Sequence, residues 1–334
     1  MPKSFQLVYV DCPVCGNKKA EEVFETMDYQ FMVTEQTFRV QKCLKCGAGF
    51  LSPRPKKEDI PYFYGEEFYW AHEGGKQKGT AEDLLHARKM QLEVKSDILS
   101  CYEKGKLLDI GTQKGEFLYW MRNEGWKVEG VEFSETPERL FDVPIQYGEF
   151  TEIGYGSDVF DCVTMWAVLE HIYEPTVYVQ EVYKVLKPGG HFVGVVTNFN
   201  CPQGRWYGKD DYPRHLTVFT KKSLKYLLEG AGFEVKRFWT DQQLFGGPLR
   251  GGIVFGLKRL LGYSRHEVMR EWHDRSNPYA FCAEFRGKSS WWIKQVSRLD
   301  KVILTPLELL LDRLGMGQNL YWEAVKVSRG SDDK

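Results

Sequence analysis

Neither charge nor hydrophobicity is concentrated anywhere in this 334-residue chain. Lys and Arg number 45 against 46 Asp and Glu, for a formal charge of −1 and a pI near 6.7. Without a basic field to gather a phosphate backbone, a nucleic-acid substrate is disfavoured. No uninterrupted apolar run reaches the roughly 18 residues needed to span a bilayer, and the opening Met1-Pro-Lys-Ser-Phe-Gln6 lacks an apolar signal core. A soluble, cytoplasmic protein is expected. Cysteine is present eight times but without the spread of a disulfide framework. Four stand in two tight pairs, while Cys101, Cys162, Cys201 and Cys282 are scattered, which suits a reducing compartment.

The two pairs are Cys12-Pro-Val-Cys15-Gly16 and Cys43-Leu-Lys-Cys46-Gly47, with 27 residues between Cys15 and Cys43. Each reads as a knuckle in which a tight turn aims two thiolates at one centre, and glycine follows where the backbone bends back. Together Cys12, Cys15, Cys43 and Cys46 supply the four tetrahedral ligands preferred by structural Zn²⁺. With short β character at 6–10 and 38–41, residues 1–52 resemble a zinc ribbon, whose metal would supply folding energy to a piece too small for a good core. Two unrelated reduced pairs, or a redox pair, are the alternative.

A middle glycine is missing from the most informative turn. Lys106-Leu-Leu-Asp-Ile-Gly-Thr-Gln-Lys-Gly-Glu-Phe117 reads as a buried strand, a glycine-cornered turn and a helix, the place where open α/β sheets hold nucleotides. A dinucleotide fold wants G-x-G-x-x-G, whereas this turn has Asp109, Gly111 and Gly115, with Gln113 at the middle position, which argues against a pyrophosphate on the helix N-terminus. Trp126-Lys-Val-Glu-Gly-Val-Glu132 is a second short strand, and Glu132 at its end is placed to accept hydrogen bonds from a ribose diol. Further on, Phe160 to His171 and Val182 to Asn198 give a fourth strand, a helix, a Pro-Gly-Gly break and a fifth strand.

On these motifs, in this order and spacing, the region from about 80 to 240 plus the last strand resembles the class I S-adenosylmethionine (SAM) dependent methyltransferases. The expected fold is α/β, a doubly wound seven-stranded, mostly parallel sheet of Rossmann-like type, with the small N-terminal zinc ribbon and a helical insertion before the last strand. An amphipathic helix over 81–103 precedes strands at 106–111, 126–132, 143–147, 159–165, 190–197, 233–239 and 319–327, with helices at 115–125, 176–187 and 221–230. The resemblance pairs the last strand antiparallel with the sixth. The chain divides into 1–52 (ribbon), 53–80 (aromatic-rich linker or cap) and 81–334 (methyltransferase domain), with 241–318 as the insertion. Tyr62, Tyr64, Tyr69 and Trp70 of the linker either cover the edge of the main domain or line the substrate entrance.

The resemblance also assigns roles. The Gly111 to Gly115 turn would wrap the methionine head of SAM, with Asp109 orienting it; Glu132 would hold the ribose, Glu149 the adenine amino group, and Phe150 or Ile153 would stack. Trp166, at the end of the fourth strand, joins the cofactor contacts. His171 and His215 are the candidate general bases, since an imidazole suits proton abstraction near neutral pH; each also reads as a packing or capping residue. The sequence after the fourth strand lacks the Asn/Asp-Pro-Pro-Tyr run of enzymes that methylate nucleobase amines. Expected acceptors are small or carrier-linked metabolites, including sugars; the alternatives are an RNA- or protein-directed enzyme that recognises its target through the ribbon, and a scaffold without turnover. The stretch 244–311, apolar with basic punctuation, reads as a cap, a homodimer surface or a peripheral membrane contact.

Overall fold

The computed structural model describes residues 3–29, 31–65, 80–134, 140–202, 211–244, 253, 256, 259–264, 267 and 290–327, the last of these with side chains from residue 302. In chain order the elements are β1 (Leu7–Val8), β2 (Ala20–Thr26), β3 (Phe38–Cys43), β4 (Gly49–Leu51), β5 (Arg54–Pro55), a 3₁₀ helix (Lys57–Phe63), α1 (Ala81–Leu99), β6 (Lys106–Ile110), α2 (Glu116–Asn123), β7 (Lys127–Glu132), β8 (Ile145–Tyr147) and α3 (Phe150–Ile153). They continue with β9 (Phe160–Trp166), a 3₁₀ turn (Leu169–His171), α4 (Pro175–Val185), β10 (Leu186–Thr197), β11 (Thr217–Val218), α5 (Lys221–Gly230), β12 (Phe233–Asp241), α6 (Ser290–Arg313) and β13 (Asn319–Lys326).

The main sheet has seven strands in the order β12-β13-β10-β9-β6-β7-β8. Five run parallel, from β10 to β8, and β13 lies antiparallel between β10 and β12. Its central strands are apolar on both faces, as a sheet covered by helices on both sides requires: Leu107, Leu108, Val163, Met165, Val193 and Val195 are fully buried. The Pro188-Gly189-Gly190 break is a bulge within β10, with the register slipping between Leu186 and His191; proline cannot donate to the ladder there, so α4 ends at Val185 rather than at 187. Thr80 starts α1 with a capping box to Asp83, and Thr220 starts α5 with one to Ser223.

The N-terminal sheet is built from distant parts of the chain. Its order is β11-β4-β3-β2, so residues 217–218, beyond the fifth strand of the main sheet, form its edge by pairing antiparallel with β4. Phe38, Val40 and Leu51 from the front of the chain share one buried cluster with Phe199, Tyr212, Leu216 and Val218. β2 goes unsignalled in sequence because its Ala-Glu-Glu-Val-Phe-Glu-Thr run buries only Thr26.

Tyr69 and Trp70 of the linker, most of the insertion and the Trp291-Trp292 pair lie outside the described residues and side chains. In the described part of α6 and just after it, Val302, Ile303, Leu307, Leu309, Leu310 and Leu314 face outward. Among the described residues no helix is long and apolar enough to cross a membrane.

Trp322 on β13 is fully buried, edge-on to Phe192 of β10 with ring centroids 5.3 Å apart. Trp322→Ala is expected to cost about 3–5 kcal/mol of stability, read as a lowered midpoint in denaturant unfolding with the slope unchanged.

Candidate functional site: a cavity at the carboxyl ends of the parallel strands

The parallel strands end at a common rim, and a cavity of about 540 Å³ opens there. Its floor is the turn between β6 and α2. Gly111 has φ +78° and an added Cβ would run into Val168; Gly115 has φ +87° and its N–H donates to the Thr112 carbonyl at 3.0 Å. Only glycine adopts such angles without strain. Gln113 takes φ +52° with a side chain attached, a conformation that costs energy unless its surroundings hold it. They do: its N–H donates to Glu132 Oε2 at 2.8 Å, and its side-chain oxygen accepts from Arg88 Nη1 at 3.0 Å. Arg88 Nη1 also lies 2.9 Å from Glu116 Oε1.

Asp109 does not line the cavity. It sits beneath the turn, 2% exposed, and accepts from the Thr164 hydroxyl at 2.6 Å. Burial pushes its carboxyl up to about 6, against the pull of Lys95 and the Thr164 bond. Burial likewise raises Glu132 and lowers Lys95. Glu132, Glu149, Phe150, Gly111 and Gln113 all line the cavity. The Glu149 carboxylate accepts from the Tyr178 hydroxyl, and the Phe150 and Tyr178 rings stand 5.6 Å apart. Ile153 and Trp166 are outside the lining; Trp166 stands in the core edge-on to Phe117, with the Lys95 ammonium 5.4 Å from its ring.

The other half of the cavity is walled by Ile60, Pro61 and Tyr64 from the linker and by His171, Ile172 and Tyr173 after β9. Of the linker aromatics, Tyr64 lines the cavity and Tyr62 lies outside it against Phe5. His171 Nδ1 is 2.9 Å from the Tyr64 hydroxyl, and its ring meets that of His215 edge-on at 4.5 Å. His215, 9% exposed, stands behind His171 rather than on the cavity wall. Near the pair, Asp211 would be raised by burial, yet the Arg214 guanidinium holds it at about 2, ionised.

The four knuckle sulfurs converge on one point. Cys12 Sγ and Cys46 Sγ are 3.5 Å apart, as are Cys15 Sγ and Cys43 Sγ, and all four lie within 4.8 Å of one another. Gly16 and Gly47 both take positive φ, their N–H groups returning to the carbonyls of Cys12 and Cys43 at 2.8 and 3.0 Å. The donor set fits a tetrahedral zinc with no open position.

Residues 86–237 match the Methyltransf_23 family, described as a methyltransferase domain. The chain carries a methyltransferase domain. Outside the family profile, this domain is similar to ubiquinone biosynthesis O-methyltransferases of Alkalilimnicola ehrlichii and Pectobacterium atrosepticum. The first is 26% identical over 37% of this chain and 54% of its own length, the second 30% identical over 29% and 44%. The chain thus spans about half the length of the curated relatives it matches. Among solved structures it is similar to a SAM dependent methyltransferase from Archaeoglobus fulgidus, at 18% identity and a TM-score of 0.44, covering 72% of this chain and 98% of that one.

Sequence reasoning passed over Arg88, Glu116, Tyr178 and Lys95 of the methyltransferase domain. Arg88 reads as one more charged position on an amphipathic helix, and its partners follow 25 and 28 residues later. Nothing local marks Tyr178, whose acceptor Glu149 precedes it by 29 residues.

Because the folded state holds the Asp109 proton more tightly than the unfolded chain, Asp109 contributes stability below about pH 4 that is lost as pH rises toward 6. Asp109→Asn is therefore expected to raise stability at pH 7 by about 1–3 kcal/mol, the gap between about 6 and 3.8 reduced by the loss of Lys95's counter-charge. Chemical denaturation at pH 7 and at pH 4 checks it: the advantage of the variant should vanish at the lower pH.

Proposed function

We propose that this protein transfers a methyl group from SAM to a small or carrier-linked acceptor. The observation that carries the reading is the Gly111–Gly115 turn, locked by the Gln113 N–H bond to Glu132, at the floor of a cavity at the carboxyl ends of β6 and β7. The family match supports it.

When bound, SAM supplies a methyl already activated on a sulfonium, so the protein's work is positioning and proton removal. The cavity fits such a ligand chemically. Its lining carries Glu58, Glu116, Glu132, Glu149 and Glu174 against Lys57, Arg88 and Lys114, an acidic excess that favours a cation over a polyphosphate. Glu132 would hold the ribose, Glu149 the adenine amino group and Phe150 the adenine face. Asp109 would act from below, fixing the turn, and Arg88 is placed to take a carboxylate. Gln113 leaves the methionine side open because its side chain is drawn to Arg88.

His171, on the wall and oriented by the Tyr64 hydroxyl, is the group that would take the acceptor proton. His215, behind it, would hold the imidazole in place. The walls of Ile60, Pro61, Tyr64, Ile172 and Tyr173 offer ring and aliphatic surface to the acceptor. A hydroxyl on a flat or sugar-like ring matches them, and the O-methyltransferase names of the relatives favour oxygen as the accepting atom. The Cys12, Cys15, Cys43 and Cys46 cluster would hold one structural Zn²⁺.

Titration calorimetry should give one SAM site per chain, with Glu132→Ala weakening it at least tenfold while zinc stays at one per chain by elemental analysis. Incubation with methyl-labelled SAM and a metabolite extract should yield a labelled small molecule; His171→Ala should abolish it and retain SAM binding. Absence of SAM heat in the wild-type protein would end the reading.

Cys12→Ser and Cys46→Ser should each empty the metal site and lower the melting temperature, since structural zinc binding contributes directly to folding. A full complement of zinc in either variant would remove the cluster as its site.

A further inference from the structure

The side chain of Arg214 has no exposed surface and is held between two carboxylates, one 186 positions earlier in the sequence and one three positions earlier. Its Nη2 is 2.9 Å from Asp28 Oδ1 and 2.6 Å from Asp211 Oδ1, and its Nε donates to Asp211 Oδ1 at 2.7 Å. The guanidinium also lies over Phe31, 4.2 Å from the ring centroid. Asp28 is fixed in turn: its two oxygens accept from Phe31 N at 3.0 Å and Val33 N at 2.9 Å. Arg214 is thereby anchored to the backbone of the β2–β3 connection, part of the module that carries the four-cysteine cluster.

The next residue is His215. Its N–H donates to the Asp211 carbonyl at 2.8 Å, the Leu216 N–H donates to the Glu170 carbonyl at 2.9 Å, and the Leu216 carbonyl accepts from Leu51 N at 3.1 Å. The segment 211–216 is therefore gripped on one side by the N-terminal module and on the other by the turn that bears His171.

A buried ion cluster is a weak stabiliser, because removing its charges from water offsets most of their attraction, and apolar replacements of similar size often hold a fold as well. What such a cluster does supply is direction: bidentate and charge-assisted bonds fix a guanidinium, and whatever follows it in the chain, in one orientation. We infer that Asp28 and Arg214 are positioning residues, through which the cysteine-bearing N-terminal module sets the place of His215 against His171 at the acceptor wall. The inference rests on the methyl-transfer reading for its consequence in turnover. The clamp itself is independent of that reading.

The test compares Asp28→Asn with the triple variant Asp28→Asn/Asp211→Asn/Arg214→Met, which removes all three charges of the cluster and leaves neither carboxylate unpaired. Imidazole proton resonances are assigned with His215→Gln and His171→Gln, and melting temperature and SAM binding are measured alongside. In both variants the resonances of His215 and His171 should move and SAM affinity should stay within about twofold. Transfer to the labelled acceptor should fall about tenfold to a hundredfold, the usual cost of a misplaced group, although the triple variant melts close to wild type. Should Asp28→Asn fail to fold, the triple variant carries the comparison alone. Unmoved resonances in a folded variant, or resonances and turnover both restored in the triple variant, would overturn the inference and leave the cluster purely structural. If the wild-type protein gives no heat with SAM, the methyl-transfer reading falls while the resonances still report on the clamp.

Discussion

The bond from the Gln113 N–H to Glu132 Oε2, 2.8 Å long, joins the ends of two neighbouring parallel strands, and the cavity takes its shape from it. β6 and β7 run side by side in register from Lys106 opposite Lys127 to Ile110 opposite Val131, so the turn after one and the last residue of the other must meet at the same rim. A carboxylate there accepts the N–H that a left-handed residue turns inward, which offsets the strain at Gln113. In most turns of this kind glycine removes that strain at its source; here the cost is borne by Gln113 and countered by Glu132 on one side and Arg88 on the other. Oε2 of Glu132 is thereby used by the turn, and Oε1 accepts from the Ser134 N–H at 3.5 Å.

The electrostatics of the rim follow from the same arrangement. Asp109 is buried under the turn, Glu116 and Glu132 stand beside it, and Lys95, Arg88 and Lys114 are the cations around them. The lining as a whole has an acidic excess, Glu58, Glu116, Glu132, Glu149 and Glu174 against Lys57, Arg88 and Lys114. Burial raises Asp109 and Glu132 because the charged forms lose hydration. An acidic excess disfavours a pyrophosphate by a physical route separate from the absent middle glycine.

Much of the architecture was legible because it is local. Runs such as Phe160–Trp166, buried almost throughout, announce central strands, and the knuckle glycines announce the positive φ that Gly16 and Gly47 adopt. What stayed hidden is non-local. The pairing of β11 with β4 joins residues more than 160 positions apart, and a two-residue strand carries no periodicity. Arg214 reads as an ordinary basic residue in a loop until Asp28, 186 positions earlier, is brought against it. His171 and His215 were both visible as candidates, but which of them faces the cavity depends on how the 3₁₀ turn at Leu169–His171 packs under the linker, and no spacing rule contains that.

The N-terminal module is accordingly more than an appended ribbon. Of the connection between β10 and α5, the described residues 198–202 and 211–220 pack against the module. The module gives it a core, through Phe38, Val40 and Leu51, and a sheet edge, through β4. The reverse is equally true: without Phe199, Leu216 and Val218, the front of the chain would leave its own apolar face uncovered. Two pieces with incomplete apolar faces share one core, and the four cysteine sulfurs gather in the same unit. Because the segment 211–216 is part of that unit and also holds the turn that bears His171, that wall of the cavity leans on the module as well as on the sheet, whereas Gln113 and Glu132 at the other end are held by the main sheet and the helices on it.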